Sequence, residues 1–208
     1  MDGVLIDSNP FHKISLKQFC KRYGYDLTEE ELREKIYGRT NKDWILNIFG
    51  NISEDTIRNY TNEKEALYRE LYENDIVPVK GLISFLDSLD KHSIPRAIGT
   101  SAPGVNVDFT LAKTAMTKYF TIILDDTFVT KGKPDPEIYL KAAAALTYPP
   151  DRCIVIEDSL SGVQAAKRAG CKVIGITTTH TAAELVDTDL IIHDFTNLTV
   201  EKLATLMS

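Results

Sequence analysis

Five short apolar runs, at residues 96–99, 121–124, 153–156, 172–176 and 190–192, alternate with helix-length segments, and this rhythm constrains the chain more than any other feature. Thr121-Ile122-Ile123-Leu124 and Cys153-Ile154-Val155-Ile156 lack the polar alternation of a half-exposed strand, so each would be buried on both faces. Runs of that kind, separated by helices, read as strands of a parallel sheet covered by two helical layers. The helical stretches agree. Leu82, Phe85, Leu86 and Leu89 form one stripe and Val107, Leu111, Ala115 and Met116 another, ahead of helices at 137–146, 161–169 and 200–206.

Residues 11–75 follow a different rhythm. Ile14, Leu16, Phe19, Cys20 and Tyr23 approximate a helical stripe closed by Gly24, and Thr28-Glu29-Glu30-Glu31 is a capping-box start. A third helix begins near Asn41, carries Trp44, Ile45, Ile48 and Phe49, and ends at Gly50. Ser53 caps a fourth, with Ile57, Tyr60, Lys64, Leu67, Tyr68 and Leu71 spaced by three and four. The expected fold class is therefore α/β. A doubly wound (Rossmann-like) parallel-sheet core, residues 1–10 and 77–208, carries an all-helical cap, residues 11–76, inserted after the first strand.

Composition narrows the function classes. A net charge of −6 disfavours a general nucleic-acid binder, which needs a basic face, yet permits a local site for a small anion. No apolar run approaches the ~20 residues of a membrane span, and no basic segment followed by an apolar block opens the sequence. Cys20, Cys153 and Cys171 have no metal-site spacing and are odd in number, so reduced, mostly buried thiols in a cytoplasmic protein are expected.

In a doubly wound sheet, ligands sit beyond the carboxyl ends of the strands. The residues delivered there are Asp2 and Asp7 from the first turn, Thr100 and Ser101 after the 96–99 strand, Lys131, Lys133 and Asp135 after the next, and Glu157 and Asp158 after 153–156. Singly, each has an ordinary use as a turn, a helix cap or a solvated charge. As a set, carboxylates, hydroxyls and a lysine suit a hard divalent cation and a phosphate.

In this order the segments Asp2-Gly3-Val4-Leu5-Ile6-Asp7-Ser8, Gly99-Thr100-Ser101-Ala102, Lys131-Gly132-Lys133-Pro134-Asp135-Pro136-Glu137 and Ile156-Glu157-Asp158-Ser159 with Gly162 span nearly the whole chain. The chain resembles the haloacid dehalogenase superfamily of hydrolases with a helical cap, close to its β-phosphoglucomutase-like phosphatases. The resemblance implies that Asp2 is the general acid and base and also gives its backbone carbonyl to Mg²⁺. It implies that Ser101 or Thr100, with the Ala102 amide, holds phosphoryl oxygens, and that Lys133 neutralises charge on the nucleophile and the transferring group. Asp158 would ligate Mg²⁺, with Glu157 binding directly or through water. In the cap it directs attention to His12, for proton transfer, and to the loop Gly38-Arg39-Thr40-Asn41-Lys42. Asn41 stands where the mutase carries an arginine for a second phosphate, which favours a phosphatase over a mutase. The implied partner is a small phosphorylated metabolite, such as a sugar phosphate, taken by a monomer or weak homodimer. A catalytically silent relative that binds such a ligand, or another protein, is the alternative of a different class; a dehalogenase would leave Glu157-Asp158 without a use.

The first motif begins one residue into the family pattern, whose nucleophilic aspartate falls just before Met1. The resemblance thus implies roughly eight or more preceding residues, ending in Asp and forming the central strand. Without that strand the sheet would hold a slot bordered by unpaired backbone groups, and the chain as written would show little or no phosphatase activity.

Overall fold

The computed structural model describes residues 1–37 and 39–208. It divides into two compact units, Pro10–Asp75 and the pairing of Met1–Asn9 with Ile76–Ser208. Gly38, expected in the substrate-reading loop, lies outside the described residues.

The first unit is helical. It contains α1 (Asn9–Arg22), α2 (Glu29–Lys35), α3 (Asn41–Phe49) and α4 (Glu54–Tyr72). Local chemistry sets three starts. Thr28 and Glu31 close a reciprocal capping box, Thr40 accepts from the Asp43 amide, and Ser53 accepts from the Thr56 amide. Phe19, Leu32, Trp44, Ile45 and Leu67 fill the core. The expected α1 stripe needs two corrections. Ile14 is 43% exposed, because it stands about 200° around the helix from Leu16 at ~100° per residue. Tyr23 is 38% exposed; its ring packs on Phe19 and Tyr60 while its hydroxyl reaches Glu63 at 2.7 Å.

The second unit is α/β. Strands β1 (Ala97–Gly99), β2 (Ile122–Leu124), β3 (Ile154–Glu157), β4 (Lys172–Ile176) and β5 (Leu190–Ile192) alternate with α5 (Leu82–Lys91), α6 (Gly104–Lys113), α7 (Glu137–Leu146), α8 (Leu160–Ala169) and, last, α9 (Val200–Met207). Every strand pairing is parallel. Side-chain alternation along β4 divides the core: Ile174 and Ile176 join Leu82, Phe85 and Leu111 on one face, while Val173 joins Ile138, Ala166 and Leu185 on the other. Two helical layers on a parallel sheet make the doubly wound α/β class expected from the strand rhythm. One helix is shorter than its stripe suggested. α6 stops at Lys113, and Ala115 takes φ of 54°, a left-handed conformation that ends a helix while Met116 still reaches the core.

The strands form two groups, β1–β2 and β3–β4–β5. Between β1 and β3 lies a cavity of about 540 Å³, bordered by Ala97–Gly99 on one side and residues 154–157 on the other. The opening residues fold beside it as a turn, with Asp2 bridging Ile6 and Ile6 bridging Pro78.

Candidate active site

Residues from three sequence-distant segments of the α/β unit meet where β3 ends. Glu157 is 4% exposed and its carboxylate is fully subscribed. Oε1 accepts from the Lys133 ammonium and the Tyr139 hydroxyl. Oε2 accepts from the Asp158 amide at 3.0 Å and from the Ser159 amide and hydroxyl at 3.2 and 3.0 Å. Burial pushes the Glu157 carboxyl up, but Lys133 and the hydrogen bonds outweigh it and hold the group near 2. Burial, followed by the Glu157 charge, raises the Tyr139 hydroxyl well above its usual value, so it remains a donor. Gly162 makes room for this carboxylate, since a Cβ there would fall 2.1 Å from Glu157 Cδ.

Asp158, 8% exposed, has a different environment. Its Oδ2 accepts from the neutral Thr179 hydroxyl, while the neighbouring ammonium of Lys133 is committed to Glu157. Burial, reinforced by the Glu157 charge, raises the Asp158 carboxyl to about 6. A buried acid in that state gains from a cation, and its chemistry suits a hard one. Gly3 lies against it: at φ of 68°, a Cβ would sit 1.9 Å from Asp158 Oδ2. The Thr178 hydroxyl donates to the Gly3 carbonyl, and Asn9 Nδ2 donates to Thr179 Oγ1 at 2.5 Å. The loop after β4 thus ties the first turn to Asp158.

Val4, Leu5 and Ile6 are buried and anchor the turn, and the amides of Val4 and Leu5 donate to the Met1 carbonyl at 3.1 and 2.7 Å. Buried Ser8 donates to Asp2 Oδ1 at 2.6 Å, orienting that carboxylate, whereas Asp7 is exposed.

Lys133 is held by its loop. Glu137, first in α7, accepts from the Thr130 and Lys131 amides at 3.0 Å each and pairs with Lys141 at 2.6 Å. Asp135 caps the Glu137 amide at 3.0 Å, and Lys131 itself is exposed. Thr100, Ser101 and Ala102 form a separate turn at the end of β1. Thr100 is buried, its amide donates to Leu124 O at 2.9 Å, and its hydroxyl accepts from the Ala102 amide at 3.2 Å; Ser101 is exposed.

In the helical unit, His12 stacks on Tyr68 with ring centroids 3.8 Å apart and an interplanar angle of 5°. Its Nδ1 lies 3.0 Å from the ammonium of buried Lys64, which also pairs with Glu65 at 2.9 Å. Because an ammonium can only donate, Nδ1 accepts there. Asn41 Nδ2 donates to Glu65 at 3.0 Å, and Trp44 Nε1 donates to Asn41 Oδ1 at 2.9 Å. Arg39 donates to the Glu34 carbonyl at 2.9 Å, and Thr40 caps α3.

Sequence reasoning missed Tyr139, Thr178, Thr179, Ser8 and Glu65 as site or support residues, and read Lys64 only as part of a stripe. A lysine on an apolar stripe and a run of threonines closing a buried strand were the available signals. Among the described residues, no three His, Cys, Asp or Glu side chains cluster as a metal site, so any cation would lean on Asp158, main-chain oxygen and water. The Asp158 carboxylate and the nearby first-turn carbonyls fit that description for Mg²⁺, which retains waters and oxygen ligands.

The fold and this carboxylate–lysine edge define a parallel-sheet α/β protein with a helical insert. Residues 1–176 match the haloacid dehalogenase-like hydrolases, and the chain belongs to that family. It is 30% identical over 199 residues to validoxylamine A 7'-phosphate phosphatase of Streptomyces hygroscopicus subsp. limoneus, covering 95% of this chain and 92% of that one. It is 30% identical over 207 residues to hexitol phosphatase A of Escherichia coli (strain K12), covering 97% and 92%. A crystal structure of a HAD hydrolase, family IA, variant 3, from Entamoeba histolytica HM-1:IMSS superposes with a TM-score of 0.92 at 38% identity, over 100% of this chain and 96% of that one.

Proposed function

We propose that the protein is a Mg²⁺-dependent phosphatase of a small phosphorylated carbohydrate, acting in the cytoplasm. The observation that carries this reading is the division of labour at the end of β3. Glu157 locks the Lys133 ammonium in place, and Asp158 is left as a buried carboxylate suited to a cation. The relatives named for phosphatase activity on sugar-like phosphates support the substrate class.

In this reading a carboxylate nucleophile attacks phosphorus, and the bond to the leaving oxygen breaks as Asp2 gives that oxygen a proton. Asp2 then takes a proton from the water that attacks the aspartyl-phosphate, releasing phosphate and restoring the carboxylate. Ser8 keeps Asp2 oriented for both transfers. Lys133 neutralises charge on the transferring group, while Thr100, Ser101 and the Ala102 amide receive its oxygens. Mg²⁺, when bound to Asp158 and the Asp2 carbonyl, would supply Lewis-acid stabilisation of phosphoryl charge. Glu157 would act on such an ion only through water, its own oxygens being occupied.

The helical unit would read the rest of the substrate through His12, Arg39, Thr40 and Asn41. Asn41 bonded to Glu65 and Arg39 bonded to the Glu34 carbonyl supply no obvious grip for a second phosphate, which favours hydrolysis over mutase chemistry. The test is a phosphate-release screen over sugar and sugar-alcohol phosphates with Mg²⁺. It uses the chain both as written and extended by a segment ending in Asp immediately before Met1. The extended protein should release phosphate, with a loss of about 10²–10³-fold for Lys133→Ala. Hexose-phosphate interconversion without release would establish the mutase instead. Tight phosphate binding with no turnover on any substrate would establish a silent relative.

A further inference from the structure

Tyr139 meets residues from three strand ends: β1, the loop after β2, and β3. It is buried, the third residue of α7, and stands two residues after Glu137, which holds the backbone of that loop. Its hydroxyl donates to Glu157 Oε1, the same oxygen that accepts from Lys133. Its ring faces the Lys133 ammonium, with Nζ 4.9 Å from the ring centroid, inside the ~6 Å reach of a cation–π contact. The ring also packs at the end of β1, where a Cβ on Gly99 would fall 3.7 Å from Tyr139 Cε1. Gly99 leads directly into the Thr100-Ser101-Ala102 turn. These contacts answer a need that Glu157 alone leaves unmet. A lysine ammonium is a point charge with three donors on a flexible four-carbon stem, so one carboxylate oxygen fixes its distance but not its direction. The ring closes one side of the ammonium, and the hydroxyl holds the oxygen to which that ammonium is bonded.

We infer that Tyr139 is a positioning residue for the reaction and acts through Lys133: its ring and hydroxyl together fix the direction in which the ammonium presents its remaining donors to the transferring phosphoryl group. The inference rests on the phosphatase reading and adds to it a residue that works without touching the substrate. Fixed charge lowers a barrier only while its geometry is held, and a misplacement of about 1 Å can cost about 10²-fold in rate. Tyrosine suits the place because one side chain supplies both a π face and a hydroxyl. Phenylalanine keeps the face, nearly all of the volume and the packing on Gly99, and loses only the bond to Glu157. A tyrosine that merely filled the core would therefore show its loss in Tm, and the folded Tyr139→Phe enzyme would turn over normally.

The test is a double-mutant cycle on phosphate release, run with Mg²⁺ on the protein and the substrate that turn over in the screen described above. Tyr139→Phe should lower kcat about ten-fold and leave KM within about two-fold. Tyr139→Leu, which removes the ring face as well, should lower kcat by about 10²-fold. In the Lys133→Ala background, Tyr139→Phe should change kcat by less than about two-fold, because the group it positions is gone. Unchanged kcat in Tyr139→Phe, or the same ten-fold loss with Lys133→Ala already present, would overturn the inference and leave the phosphatase reading standing. A raised KM at unchanged kcat would also overturn it, by assigning Tyr139 to substrate binding. If the protein without these substitutions releases no phosphate from any substrate, the phosphatase reading itself fails and the role of Tyr139 falls with it.

Discussion

At the scale of single residues, the acid pair after β3 shows how one strand end produces two chemistries. Glu157 and Asp158 are adjacent, yet burial and the Glu157 charge raise Asp158 to about 6, whereas direct bonds from Lys133 and Tyr139 outweigh burial at Glu157 and hold it near 2. A carboxyl raised in the folded state contributes stability that is fully present below its unfolded value, 3.8 here, and lost as pH rises through about 6. In Mg²⁺-free buffer, Asp158→Asn should therefore leave Tm unchanged at pH 4 and raise it at pH 8. A lower Tm at pH 8 would mean that the ionised carboxylate is satisfied without a cation. Gly3 is the second sensitive position. Gly3→Ala combines a left-handed φ with a Cβ placed on Asp158, and should cost about 1–3 kcal/mol in urea unfolding. A change below a few tenths would show that the first turn and Asp158 are not in contact.

At the scale of elements, the loop 125–136 is organised from outside itself. Glu137 at the start of α7 is held near 2, chiefly by Lys141 and then by the Lys131 and Thr130 amides it accepts. A depressed carboxyl contributes stability present above its unfolded value, 4.5, and lost as pH falls through about 2. Hydrogen exchange at the Thr130 and Lys131 amides should lose its protection over that window, and Glu137→Gln should remove the pH dependence. Protection that persists in the variant would place the anchor elsewhere. Elements were also where the sequence was most legible. Thr28, Ser53 and the apolar runs announce their helices and strands because caps and periodicity are local signals. Ala115 eluded the same reasoning, since its left-handed conformation depends on the Met116 side chain finding the core. Thr178, Thr179 and Tyr139 eluded it because their partners, Gly3, Asp158 and Glu157, are distant in sequence.

At the scale of the whole molecule, the α/β unit holds the Lys133, Glu157 and Asp158 cluster, and the helical unit carries a connected network of its own, from Trp44 through Asn41, Glu65 and Lys64 to His12. Among the described residues no helix is long and apolar enough to cross a membrane. The three cysteines are free, with Cys20 and Cys171 buried. The strand rhythm and family motifs made the α/β layout and the Lys133, Glu157 and Asp158 cluster visible in advance. The inward turn of Glu157 was not visible, because only the fold brings Tyr139 and Gly162 against it. The account rests on Asp158 as the group that holds a cation, and calorimetric titration with Mg²⁺ tests this most directly. One Mg²⁺ should bind per chain, with the heat lost in Asp158→Asn and kept in Asp7→Asn. Unchanged Mg²⁺ binding by the Asp158→Asn protein would contradict it.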